Sequence, residues 1–203
     1  MQIDEETAKV LDALVPNVPF DGWTSRALGM ALAALGRAPD EAGLVFAGGA
    51  GEMIESYFAL ADQRMIESAR NLEGGLTARV RAIVALRLEQ SAGDKEAIRR
   101  ALSWLALPSQ APRMARIVAA TADAIWFAAG DKSADFSWYT KRASLGAIYL
   151  ATLLYWLADT SAGSERTLAF LDRRLAGIGR IAKLRQGFAK RRGILRPGRP
   201  AAA

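Results

Sequence analysis

The stretch Phe20-Asp21-Gly22-Trp23-Thr24 separates two segments whose apolar residues recur at helical spacing. The first is 2–15, with Ile3, Val10, Leu11 and Leu14 on one face, stopped near Pro16 and Pro19. The second is roughly 25–35, capped by Thr24 and ended at Gly36. A third short piece follows at 40–46, Asp40-Glu41-Ala42-Gly43-Leu44-Val45-Phe46. Three short helices in this order have the layout of a helix-turn-helix. A DNA reader places Arg, Lys, Asn or Gln of the third helix against base edges. Here the third helix is acidic and then apolar.

Outward from that trio the helical pattern continues. Gly48, Gly49 and Gly51 predict a turn before a helix from about 52 to 72, and Gly74-Gly75 predicts the next break. Residues 76–91 place Val80, Ile83, Val84 and Leu88 on one face. Asp94 is read as the cap of a helix at 95–107, ended by Pro108, and helices at 112–129, 137–159 and 164–177 complete the body. No segment alternates long enough to be a strand. The expected fold is all-α, a TetR-like helical bundle with a degenerate N-terminal helix-turn-helix and a C-terminal amphipathic helix. The expected units are 1–48, the degenerate module; 49–177, a helical ligand-binding bundle; and 178–203, a basic membrane-surface helix and tail.

Composition narrows the function. The 203 residues include 41 alanines, no histidine and no cysteine. His-based triads, Cys nucleophiles and Cys/His zinc sites cannot be built from this chain, nor can a di-iron site of Glu-x-x-His pairs. The formal charge of +6 is unevenly spread. Residues 1–60 hold three basic against nine acidic side chains, and residues 137–203 hold thirteen against three. A negative N-terminal module repels phosphates, so no nucleic-acid partner is expected. The longest uncharged apolar run, 143–158, is too short to span a bilayer and reads as a core helix.

Two motifs yield to simpler readings. Gly48-Gly49-Ala50-Gly51 lacks the Gly-Lys-Ser/Thr ending of a phosphate loop. Asp131-Lys132-Ser133-Ala134-Asp135 opens like a calcium loop, but Phe136 and Arg142 occupy the positions that need Gly and Glu. Asp and Ser capping a helix start explain that segment. No cofactor and no metal are expected.

Two segments carry interaction signals. Trp138, Arg142, Leu145, Tyr149, Thr152 and Trp156 share one helical face, and Leu145 to Trp156 read as core. Trp138 and Tyr139 beside Lys141 and Arg142 suit a protein–protein hot spot as well as a core edge. Farther on, Leu168, Leu171, Leu175, Ile178, Ile181, Leu184 and Phe188 advance by threes and fours. Arg180, Lys183 and Arg185 lie between them, with no acidic residue after 178. Such a basic amphipathic helix fits an anionic membrane surface, a solvated bundle helix or a dimer helix.

Phe20-Asp21-Gly22-Trp23-Thr24 and the longer run from Ala129-Gly130-Asp131 to Lys141-Arg142 resemble a family of coenzyme Q biosynthesis accessory proteins. The resemblance extends over roughly residues 5–185. It implies a non-enzymatic, TetR-like protein that binds an isoprenoid quinone precursor or phospholipid and presents it to the demethoxyubiquinone hydroxylase. It also implies that Trp138, Tyr139, Lys141 and Arg142 meet the hydroxylase. The residues Ile178, Arg180, Ile181, Lys183, Leu184, Arg185 and Phe188 would then meet the membrane, and a homodimer is allowed. With no targeting extension ahead of Met1, the expected location is the bacterial cytoplasm, at the inner face of the plasma membrane. The alternative is a ligand-responsive transcription regulator on the same fold.

Overall fold

A computed structural model describes residues 1–131 and 137–177, including all their side chains except those of Ser137 and Trp138. The described residues contain helices and turns and no strand. Helix α1 is Glu5–Leu14, opened by Asp4, whose carboxylate accepts from the Thr7 backbone N–H at 2.8 Å. Pro16 and Pro19 do end α1, but each begins something new. Pro16 lies in the 3-10 turn Val15–Asn17, and Pro19 in the first turn of the short helix α2, Val18–Asp21. A first-turn residue has no helical acceptor for its N–H, so proline loses nothing there. Gly22 turns the chain with φ +71°, and Thr24 caps α3, Ser25–Ala34. The expected third helix is a 3-10 turn, Pro39–Glu41, followed by the single-turn α4, Ala42–Val45.

The longer helices follow the expected order: α5 Gly49–Ser68, α6 Leu76–Gln90, α7 Lys95–Leu105, α8 Ala111–Ala128 and α9 Ser137–Ala158. A further helix, α10, occupies 165–177 of the described residues. Two local expectations are corrected. The glycine turn is shorter than anticipated, because α5 begins at Gly49 and Gly51 lies buried within it. A Cβ on Gly51 would stand 1.6 Å from Nη1 of Arg113 on α8, so the Arg113 guanidinium lies directly over the bare backbone of α5 there. Asp94 does not cap α7 with its side chain. The 3-10 turn Ala92–Asp94 leaves it at φ −102°, ψ 10°, outside the extended conformation that capping needs, and its carboxylate instead accepts from the Tyr57 hydroxyl at 2.9 Å.

Helix α5 is the central strut, burying Met53, Ile54, Tyr57, Phe58, Leu60 and Met65. It packs against α8, and α8 in turn against α9. The α6 face of Val80, Ile83, Val84 and Leu88 is buried as its periodicity predicts. So is the α9 stripe of Leu145, Tyr149, Thr152 and Trp156. The N-terminal trio is joined to the bundle by Trp23, whose indole N–H donates to the Ala97 carbonyl at 3.0 Å. Helix α10 is docked through buried Leu171, the Arg81–Asp172 ion pair at 2.6 Å, and Phe170 stacked on Tyr155 at 4.8 Å. No helix among the described residues is long and apolar enough to cross a membrane.

Candidate functional site

Three helices border one apolar groove of about 950 Å³. Leu105 and Leu107 come from the end of α7, Met114, Val118 and Ala119 from α8, and Gly146 and Leu150 from α9. Residues 111, 114, 115, 118 and 119 of α8 all line it, recurring at i, i+3, i+4, i+7 and i+8, which puts them on one side of that helix. Gly146 sets the depth, since a Cβ there would meet Val118 Cγ1 at 3.0 Å. The lining is almost wholly aliphatic, so it offers burial to a hydrocarbon and few polar anchors.

One end of the groove is polar. Tyr139 and Arg142, in the first turns of α9, line it together with Asp123 of α8. Arg142 Nε donates to the Asp123 carboxylate across the two helices. Tyr139 is 75% exposed. Lys141 points elsewhere, 3.5 Å from the Asp131 carboxylate and above the Trp126 ring. The four residues singled out from sequence therefore divide. Tyr139 and Arg142 sit at the groove, Lys141 sits against the α8–α9 connection, and the Trp138 side chain lies outside the described residues. Ile178, Arg180, Ile181, Lys183, Leu184, Arg185 and Phe188 also lie outside them. Asp131 of the calcium-like segment partners Lys141, and residues 132–136 are likewise outside.

A second polar centre, which sequence reasoning missed, is sealed in the bundle. Arg87 of α6 is almost fully buried and donates from Nε to Asp62 of α5 at 3.2 Å and from Nη1 to Ser91 Oγ at 2.5 Å. Thr121 of α8 donates to the other Asp62 oxygen at 2.7 Å. Burial pushes the Asp62 carboxyl above its ordinary range, while Arg87 and Thr121 pull it back. Tyr149 Oη and Arg87 Nη2 have no hydrogen-bond partner among the described residues. No spacing rule could have found this centre, because its members are 25 and 59 residues apart.

The N-terminal trio keeps the acidic and apolar third piece read from the sequence. Glu41 is occupied by Arg37 at 2.7 Å, and Leu44 of α4 is exposed. This architecture is nevertheless that of the TetR class. The chain matches the crystal structure of a TetR transcriptional regulator from Nitrosomonas europaea with a TM-score of 0.66. The match covers 85% of this chain and 97% of that one, at 24% identity, and it shows the fold alone.

The sequence points to one branch of that fold. Residues 111–182 match the COQ9 family model, a span that takes in α8 and α9, two of the groove's walls. The ubiquinone biosynthesis protein COQ9, mitochondrial, of Drosophila melanogaster is 32% identical over 86% of this chain and 55% of its own length. The Homo sapiens protein of the same name is 32% identical over 86% of this chain and 59% of its own. This is a COQ9-family chain on a TetR-like fold. It spans little more than half the length of these curated relatives. The expected bacterial location at the plasma membrane is overturned, because these relatives are named mitochondrial. That expectation rested on the lack of a leader, and the first residue of a chain shorter than its relatives carries no information about one.

Proposed function

We propose that this chain is a non-catalytic, lipid-binding accessory protein of ubiquinone biosynthesis. In this reading the groove between α7, α8 and α9 holds the isoprenoid part of a quinone precursor, or the acyl chain of a phospholipid. The chain then offers its ligand to the demethoxyubiquinone hydroxylase through the surface at Trp138, Tyr139, Lys141 and Arg142. Residues 178–203 contact an anionic membrane, residues 49–177 form the binding bundle, and residues 1–48 are a helix-turn-helix that no longer reads DNA. A ligand this insoluble cannot cross water unaided, so extraction and presentation need no chemistry from the protein.

The observation that carries the reading is the groove: about 950 Å³, aliphatic along its length, polar at one end, with two of its three bounding helices, α8 and α9, inside the family-model match. Its volume and lining are those of a small-molecule site. The name shared by the relatives supplies the pathway, and the absence of His and Cys from the sequence suits a carrier.

The test is an inventory by mass spectrometry of lipids that co-purify with the chain, run beside Ala119→Trp, which fills the exposed groove floor without touching the core. The parent should carry an isoprenoid or phospholipid, and the variant should lose most of it at an unchanged melting temperature. A parent that carries none, and takes none from vesicles, would sink the reading.

A further inference from the structure

The aliphatic groove lies uncovered by any of the described residues. Ala111, Ala115 and Ala119 of its floor are exposed, and Leu107 at its rim is 50% exposed. An apolar surface left open in this way marks a place where another apolar surface belongs. The chain itself carries one. Ile181, Leu184 and Phe188 recur by three and four, and every charged residue from 178 onward is basic. As a helix, Ile181 to Phe188 spans about 10 Å, against about 12 Å for the floor from Ala111 to Ala119.

Helix α10 brings that segment close to the groove. Thr167 lies against Asp159 and Phe170 against Tyr155, so α10 runs back along α9 toward the groove's polar end. Tyr155 and Gly146 are about two and a half turns apart, which puts α10 and the groove on opposite sides of α9. A helix is about 10 Å wide, and about three extended residues cross that width. Gly177 stands where the crossing would start. A Cβ there would meet nothing within 4 Å, so packing does not call for glycine at this position. Glycine at a helix end lets the chain turn out of the helix, and Gly179 follows it.

We propose that residues 181–188 of this same chain seat in the groove between α7, α8 and α9 whenever no membrane is present. The stripe of Ile181, Leu184 and Phe188 lies on the alanine floor, as an amphipathic helix fills an apolar groove. On a helix, Arg180 and Arg185 flank that stripe and Lys183 falls opposite it, where an anionic membrane attracts it. The one stripe cannot face the groove and the bilayer at once. Membrane contact therefore empties the groove where its lipid is found, and away from the membrane the segment sits in the lipid's place. This consequence for the lipid rests on the lipid-holding reading of the groove, whereas the seat itself does not.

The chain has no cysteine, so Ser103→Cys on α7 with Gln186→Cys gives one spin-label pair in the full chain. Ser103 is exposed and outside the groove lining, and Gln186 falls opposite the stripe, so neither label fills the groove. Double electron–electron resonance in buffer should give one narrow distance of about 20 Å, two helix widths. Vesicles of phosphatidylcholine with phosphatidylglycerol should abolish it, and phosphatidylcholine alone should not. A seat filled roughly nine-tenths of the time lowers ligand affinity about tenfold. Changing Ile181→Ser, Leu184→Ser and Phe188→Ser together should therefore raise affinity for dansyl-labelled farnesol in buffer by about that factor. A synthetic peptide of residues 178–203 should take the gain away. A broad distance in buffer, or a narrow one that survives on anionic vesicles the chain has bound, would overturn the proposal. So would a distance lost on dilution with unlabelled chain, which would seat the segment on a second copy. Unchanged affinity in the triple variant would overturn the competition with lipid. If parent and variant both bind no probe, the lipid-holding reading fails, and the distance alone still decides the seat.

Discussion

Asp159 shows how much one side chain can organise. It sits buried between α9 and α10, and it accepts four bonds, two from Ser161 in the connection and two from Thr167 of α10. Ser161 donates from N at 2.9 Å and from Oγ at 2.7 Å, and Thr167 from N at 2.9 Å and from Oγ1 at 2.6 Å. Those donors, Thr167 first, hold its carboxyl well below the ordinary value of 3.8. A carboxyl depressed by folding stabilises the fold fully above its unfolded value and loses that contribution as pH falls through the folded one. Asp159→Asn should therefore lower the melting temperature at pH 7, and the gap from the parent should close as pH drops below 3.8. Thermal unfolding followed by circular dichroism between pH 7 and pH 2 measures it, and a gap undiminished at pH 2 would show that proton linkage at Asp159 is not its source. Trp23 gives a second test at this scale. Trp23→Phe removes the bond to Ala97, worth about 1 kcal/mol, together with the five-membered ring, which leaves a small cavity. A loss several times larger, read from urea unfolding, would mean that the indole is needed for its shape. Trp23 was legible as part of a motif. Its acceptor 74 residues away was not, because backbone carbonyls leave no mark in a sequence.

Among elements, α9 was read best and least completely. Its core stripe follows from 3.6-residue periodicity, since Leu145, Tyr149, Thr152 and Trp156 are large or polar enough to mark a face. The groove on its other side is drawn by Ala143, Gly146 and Leu150. Small residues look alike on a solvent face and on the floor of a cavity, so pattern alone leaves them silent, and the opposing walls arrive from α7 and α8. Tyr139 illustrates the two possible roles of an aromatic at a helix start. Exposed as it is, its truncation should leave the melting temperature within a degree or two of the parent. Loss of an interface aromatic typically costs about 2 kcal/mol of binding, about thirtyfold in affinity. Tyr139→Ala, tested for hydroxylase pull-down and thermal unfolding on the same sample, should weaken the first and spare the second. Collapse of both would make Tyr139 structural. The same separation applies to the tail, where deletion of residues 178–203 should abolish binding to anionic vesicles and leave the helical signal of the bundle intact. Undiminished vesicle binding would move the membrane contact elsewhere.

At the scale of the molecule, the Arg87 centre ties α5, α6 and α8 at a depth otherwise filled mainly by aliphatic and aromatic side chains. A paired charge in such a place contributes little by being there, yet removing one partner leaves the other buried and uncompensated. Arg87→Met should accordingly destabilise the bundle by about 3–5 kcal/mol, because Asp62 loses its cation and keeps only Thr121. The double change Arg87→Met with Asp62→Leu removes both charges and should recover most of that loss, leaving Thr121 and Ser91 short of one bond each. Burial has already raised the Asp62 carboxyl, and without Arg87 it should rise further. The single variant should then be less destabilised at pH 5 than at pH 8, since protonating Asp62 relieves the stranded charge. Urea unfolding of the parent and both variants at these two pH values decides the matter. If the double variant is no more stable than the single one, the centre holds the helices by the shape of its bonds, and charge compensation is not what the bundle requires of Arg87.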